Sequence, residues 1–102
     1  MMKENQPPQL LVCLSNSASN RQTLRLAADL AAGRQAKLSG IYISQSSTLV
    51  NDPGLLANFR LAEDLGMKIT ILYGTDRVHL LSEYAKQKKI TTLIYERGYL
   101  KG

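Results

Sequence analysis

The sequence predicts an α/β domain, a three-layer sandwich in which a parallel sheet of four strands is covered by three helices. Two features predict it. Short runs of apolar and β-branched residues, at 10–14, 38–43, 68–73 and 91–95, alternate with stretches whose apolar residues recur at helical spacing. Polar, turn-forming residues follow each of the first three runs. Strand, helix, strand, helix, strand, helix, strand is the order of a parallel sheet joined by right-handed crossovers, with helices on both faces.

The elements follow in order. Residues 10–14, Leu-Leu-Val-Cys-Leu, are apolar throughout, which suits a strand covered on both faces. After the polar segment 15–20, Leu24, Ala27, Ala28 and Ala31 fall on one helical face. Ser19 with Gln22 resembles a capping box at the start of that helix, and Gly33 marks its end. A second strand is predicted over 38–43 and a polar loop over 44–51. Asp52 followed by Pro53 is a helix start, because the carboxylate can accept from unpaired backbone N–H groups and proline suits the first turn. Leu55, Phe59, Ala62 and Gly66 line one face of this second helix. A third strand is predicted over 68–73, with Gly74 turning the chain and Thr75 or Asp76 capping a third helix that carries Val78, Leu81 and Ala85. The last strand is predicted over 91–95.

A chain of 102 residues fits one domain, here 9–102, with 1–8 expected as a disordered lead-in. Those first residues, MMKENQPP, have no apolar core of a signal peptide, and no apolar run approaches the roughly 20 residues that span a bilayer, so a cytoplasmic location is expected. Cys13 is the single cysteine and excludes an internal disulfide framework. The net charge of +5 points only weakly to an anionic ligand, because the basic residues are dispersed. Their one cluster, Lys86, Lys88 and Lys89, closes the third helix, where cations favour the dipole. No aromatic residues alternate with the basic ones as a nucleic-acid platform requires, and nucleic acid is not an expected partner.

Chemistry in such sheets gathers outside the carboxyl ends of the strands, where strand order reverses. Ser15, Asn16 and Ser17 leave the first strand just before a helix N-terminus. Unpaired N–H groups there favour an anion, and serine hydroxyls can donate further bonds to phosphate oxygens. The same residues also make turns and cap helices throughout proteins, so local chemistry leaves both readings open.

The stretch LLVCLSNSASNRQTLRLAADLAAGRQAKLSGIYI at 10–43, with FRLAEDLGMKITILYG at 59–74 and LLSEYAKQKKITTLIYERG at 80–98, resembles the universal-stress-protein domain of bacterial potassium-sensing histidine kinases of the KdpD type. The resemblance implies the universal-stress, adenine-nucleotide alpha-hydrolase-like sandwich with its last helix and strand missing. It implies a cytoplasmic sensory domain of a two-component kinase that controls potassium uptake, without catalytic activity or a cofactor of its own. Some of these domains bind cyclic di-AMP through Ser-x-Ser, a gap of twenty residues, then Phe-Thr-Ala-x-Tyr. Here Ser15-Asn16-Ser17 is followed, after 18–37, by Leu38-Ser39-Gly40-Ile41-Tyr42. Ser15, Ser17 and Tyr42 match, Ser39 keeps the hydroxyl of threonine, and Leu38 and Gly40 replace phenylalanine and alanine. The resemblance thus implies ligand contacts from Ser15, Asn16, Ser17, Ser39 and Tyr42.

Arg97, with Arg21 and Lys101, is a candidate for reaching phosphate near the same crevice. ATP-type stress proteins carry a glycine pair after the fourth strand, where this chain has Glu96, and a carboxylate there repels a triphosphate. His79 is the single histidine and has no Cys or carboxylate at ligand spacing, so no metal site and no Ser-His-Asp set is expected. No Walker or dinucleotide-binding glycine motif is present. The expected partners are an adenine nucleotide, the other domains of a parent kinase and a second copy of the chain. The alternative is an interaction domain without nucleotide binding, which would self-associate through an unprotected sheet edge.

Overall fold

A computed structural model describes residues 7–46 and 52–100. Residues 1–6, 47–51 and 101–102, which include most of the expected lead-in and second loop and Lys101, lie outside the described residues. The order is β1 (Gln9–Cys13), α1 (Asn20–Arg34), β2 (Lys37–Ser44), α2 (Pro53–Asp64), β3 (Lys68–Tyr73), α3 (Arg77–Gln87) and β4 (Thr92–Ile94). All four strands are parallel and stand in the order β3-β2-β1-β4. The chain therefore steps outward from β1 to β3, then returns to the far side of β1. The order reverses between β1 and β4, and the loops leaving those two strands face each other.

β1 is central and covered on both sides, which explains its unbroken apolar run: Leu10, Leu11, Val12, Cys13 and Leu14 are all buried. Alternation divides the core in two. Val12 and Leu14 pack with Leu24 and Ala27 of α1 and Ala62 of α2. Leu11 and Cys13 pack on the opposite face with Ile41, Ile43, Leu81 of α3 and Tyr99. Small side chains at Ala27 and Ala62 let α1 and α2 approach the sheet closely, and both are fully buried. At Gly40 a Cβ would stand 2.8 Å from Leu14 Cδ1, so the alanine of the resembled pattern would require the end of that leucine to shift.

Two helix-end expectations are corrected. α1 runs past Gly33 to Arg34 and ends on Gln35, which adopts the left-handed conformation (φ 53°) and returns its N–H to the carbonyls of Ala31 and Ala32. Ser19 precedes α1 but makes no side-chain cap, because its hydroxyl is engaged elsewhere. The other two starts are as the residues predict. Asp52 Oδ1 accepts from the N–H of Gly54 and Leu55 at 2.9 and 3.3 Å, and Asp76 accepts from His79 N at 3.1 Å. Among the described residues, no helix is long and apolar enough to cross a membrane.

Leu24 is the apolar pin between α1 and the sheet, with no exposed surface. Leu24→Ala is expected to cost about 2–5 kcal/mol of stability. The loss should appear as a lower urea midpoint with an unchanged slope, and an unmoved midpoint would contradict the packing described.

Candidate functional site

The site begins with the loop 14–19, which leaves the buried end of β1 with Ser15 and Ser17 partly buried, so that their backbone groups need partners. Two buried asparagines do this. Asn58, on the sheet-facing side of α2, donates its two Nδ2 hydrogens to the carbonyls of Ser15 and Ser17, at 2.8 and 3.0 Å. Asn20, in the first turn of α1, accepts from Ser15 N at 3.1 Å and donates to Cys13 O at 3.1 Å. Asn16 points outward and donates to Asp52 Oδ2 at 2.9 Å, tying the loop to the start of α2. Gly54 permits that approach, since a Cβ at this position would lie 2.9 Å from Asn16 O.

So held, the loop turns its hydroxyls toward the chain that leaves β4, and Glu96 meets them. Ser15 Oγ donates to Glu96 Oε1 and Ser17 Oγ to Oε2, each at 2.8 Å. Ser19 Oγ also donates to Oε2, and Asn20 Nδ2 donates to Oε1 at 3.2 Å. Four side chains around α1's N-terminus thus converge on one carboxylate. Partial burial works against the charged form of Glu96, but the bonds from Ser19, Ser15, Ser17 and Asn20 outweigh it and hold the carboxyl below its ordinary value.

Beside this cluster lies a cavity of about 340 Å³. Ser15, Asn16, Ser17, Tyr42 and Arg97 all line it, together with Glu96, Arg77 and Tyr99. Tyr42 comes from the α1/α2 side of the sheet, where its ring meets Phe59 edge-on at 5.6 Å. Arg77 reaches in from α3. Its guanidinium lies 4.4 Å over the Tyr99 ring and donates through Nη1 to Tyr99 O. Arg77 Nε and the Tyr99 hydroxyl are buried without a hydrogen-bond partner among the described residues. Cys13 is shielded beneath them, and burial pushes its thiol up to about 12, which leaves it a poor nucleophile at neutral pH.

Five of the six residues named from the sequence share this cavity, and Ser39 does not line it. Ser39 pairs with Leu11 near the opposite end of β2, three residues from Tyr42. At about 3.3 Å per residue that is roughly 10 Å along the strand, and the odd spacing turns the two side chains to opposite faces. Leu38 lies a step further back, packs in the core beside Val12 and Leu14, and does not line this cavity. Arg21 is exposed on α1, and His79 is exposed on α3. Among the described residues, no cluster of His, Cys, Asp and Glu is arranged to hold a metal ion.

No protein-family model matches the chain. Among curated proteins it is similar to the sensor protein KdpD of Clostridium acetobutylicum, with 26% identity over 93 residues. Those residues are 89% of this chain and 10% of KdpD, so the chain spans about a tenth of that relative. Three solved structures share the fold. A protein from Mycobacterium tuberculosis matches with a TM-score of 0.65 and 16% identity, over 91% of this chain and 73% of its own. A universal stress protein in complex with cAMP matches at 0.65 and 21%, over 84% and 69%. Universal stress protein UspA from Lactobacillus plantarum matches at 0.62 and 21%, over 97% and 86%. The fold is that of the universal stress proteins, and the chain resembles the stress-protein domain of KdpD.

Two outcomes follow from this geometry. Asn58→Ala strands the Ser15 and Ser17 carbonyls and is expected to cost about 1–3 kcal/mol in chemical denaturation, whereas the exposed neighbour Arg60→Ala should stay within about 0.5 kcal/mol of the parent. A carboxyl lowered on folding adds stability that is present above its ordinary pKa, 4.5 for Glu96, and is lost as the pH falls through the lowered value. Glu96→Gln should thus be less stable than the parent at neutral pH, with the gap closing as the pH falls below 4.5 and through the lowered value. A gap independent of pH would contradict the hold on the carboxylate.

Proposed function

We propose that this domain is a sensory module of a KdpD-type histidine kinase that binds an adenine nucleotide, cyclic di-AMP in particular, and performs no chemistry on it. The observation that carries this reading is the convergence of Ser15, Asn16, Ser17, Tyr42 and Arg97 on one cavity at the reversal of strand order, where ligands bind in sheets of this kind. Hydroxyls and Arg97 suit a phosphate, and the Tyr42 ring suits adenine. The cAMP complex of a protein with this fold lends further support. A volume of about 340 Å³ is at the small end of the range of about 300–1,000 Å³ for small-molecule sites. It suits one nucleotide unit, so the second half of cyclic di-AMP would project outward, where a second copy of the domain can meet it. In the parent kinase, occupancy would bias the response that controls potassium uptake from the cytoplasmic side.

One observation favours the second reading, an interaction domain without nucleotide binding: the hydroxyls suited to phosphate already hold Glu96.

Calorimetry with cyclic di-AMP, AMP and ATP tests the proposal. Cyclic di-AMP or AMP is expected to bind more tightly than ATP, and Tyr42→Ala should weaken binding about tenfold or more, in line with about 1–3 kcal/mol for a base stacked on an aromatic ring. Absence of heat from all three nucleotides at high micromolar concentration would overturn it in favour of the interaction domain.

A further inference from the structure

The donors of the serine loop can be counted. A serine hydroxyl has one hydrogen to give and a side-chain amide has two. Ser15 gives its hydrogen to Glu96 Oε1, while the Ser17 and Ser19 hydroxyls both lie against Oε2 and 2.9 Å from each other, where either can be the donor. Asn20 divides its two between Cys13 O and Glu96 Oε1. Asn58 divides its two between the Ser15 and Ser17 carbonyls. Each of these donors therefore has an acceptor in reach, and the three hydroxyls surround one group. That group is anionic, belongs to the chain itself, and lies more than seventy residues away in sequence, joined to the loop by the reversal of strand order.

We infer that the Glu96 carboxylate is an internal ligand which occupies the anion subsite of the cavity, so that a phosphate group enters the serine loop only when Glu96 leaves it. Two constraints make occupation exclusive. The hydroxyl hydrogens cannot serve two acceptors at once, and a phosphate beside the carboxylate would add like charge to like charge at close range. With Glu96 withdrawn, the cavity keeps Ser15, Ser17, Arg77 and Arg97, a set of donors and cations that matches a phosphate monoester or diester. Arg77 brings a buried Nε with no partner among the described residues. The loop needs no rebuilding for the exchange, because the bonds from Asn58 and those from Asn20 to Ser15 and Cys13 are independent of Glu96. Glu96 lies two residues beyond β4 in the turn that leads to Tyr99, whose N–H donates to its carbonyl at 3.0 Å.

The nucleotide reading supplies the ligand class but not the competition, and inorganic phosphate separates the two. The parent, Glu96→Ala, and Glu96→Ala combined with Ser17→Ala are titrated by NMR with inorganic phosphate, AMP and uncharged adenosine. Glu96→Ala is expected to bind phosphate and AMP at least tenfold more tightly than the parent. Adenosine should bind both about equally, and Ser17→Ala should remove most of the gain. Equal phosphate affinity in the parent and Glu96→Ala overturns the inference. So does a gain that survives Ser17→Ala, since charge alone would then explain it. If phosphate affinity rises while adenosine binds neither protein, the internal ligand stands and the adenine reading falls. If adenosine binds both and phosphate shows no gain, the reverse holds. Should Glu96→Ala fail to fold, Glu96→Gln takes its place: it sheds the charge while leaving an acceptor for the hydroxyls, and a smaller gain, again removed by Ser17→Ala, is expected.

Discussion

The loop that leaves β1 turns with the Ser15 and Ser17 carbonyls partly buried, and Asn20 and Asn58 hold that turn. Both are buried completely or nearly so, at 0% and 1% exposure. A buried amide is costly unless each of its polar atoms is paired, and here the pairing joins different elements. Asn58 links α2 to the loop, while Asn20 links α1 to the end of β1 and to Glu96 beyond β4. The stability of the sandwich and the shape of the loop therefore rest on the same bonds. Hydroxyls directed outward from a loop so constrained lose little further freedom when they bind an anion, which is the condition for a preorganised receptor.

The architecture was open to sequence reading because each element carries a local signal that agrees with its tertiary role. The apolar run at 10–14 was continuous because β1 is covered on both faces, and Asp52-Pro53 announced a helix that does begin there. Two local signals failed. Ser19 has the spacing of a cap, yet donates to Glu96, a partner distant in sequence that local spacing could not reveal. Gly33 lacks the Cβ that disfavours a left-handed turn, yet the helix runs past it and the chain turns left-handed at Gln35, closed by local bonds to Ala31 and Ala32.

The site was legible in part for a similar reason. Ser15, Asn16 and Ser17 were identifiable as the exit of the first strand, and topology alone brings that exit to the reversal point. Tyr42 lines the same cavity because β2 pairs with β1 in a register that carries its far end to the same edge of the sheet. Ser39 was grouped with it because it matches the threonine of the resembled pattern, although alternation sends it to the other face. Asn58 was hidden inside an otherwise apolar helical stripe. The signal available was the stripe's own interruption, since a polar residue on a core-facing position must find partners. Glu96 was noticed as a departure from the glycine of ATP-type relatives and as a source of repulsion, but its direct tie to the serines required the β1–β4 pairing to be known.

An internal carboxylate in an anion subsite changes the concentration at which a phosphate ligand can bind. If Glu96 is bound to the loop in a fraction of molecules and absent in the rest, only the second population accepts phosphate, and the apparent dissociation constant rises in inverse proportion to it. A subsite closed in about 99% of molecules would thus shift the response to roughly a hundredfold higher ligand concentration. The linkage is reciprocal, because a ligand that binds only the open population must drive Glu96 out. The segment carrying Glu96 continues directly into the turn that buries Tyr99 against Cys13 and receives the Arg77 hydrogen bond. Whatever loosens that turn favours the open subsite, and whatever tightens it favours the closed one. A single side chain can in this way set the threshold for anion binding and connect occupancy of the loop at one strand's end to the packing of the chain beyond its neighbour.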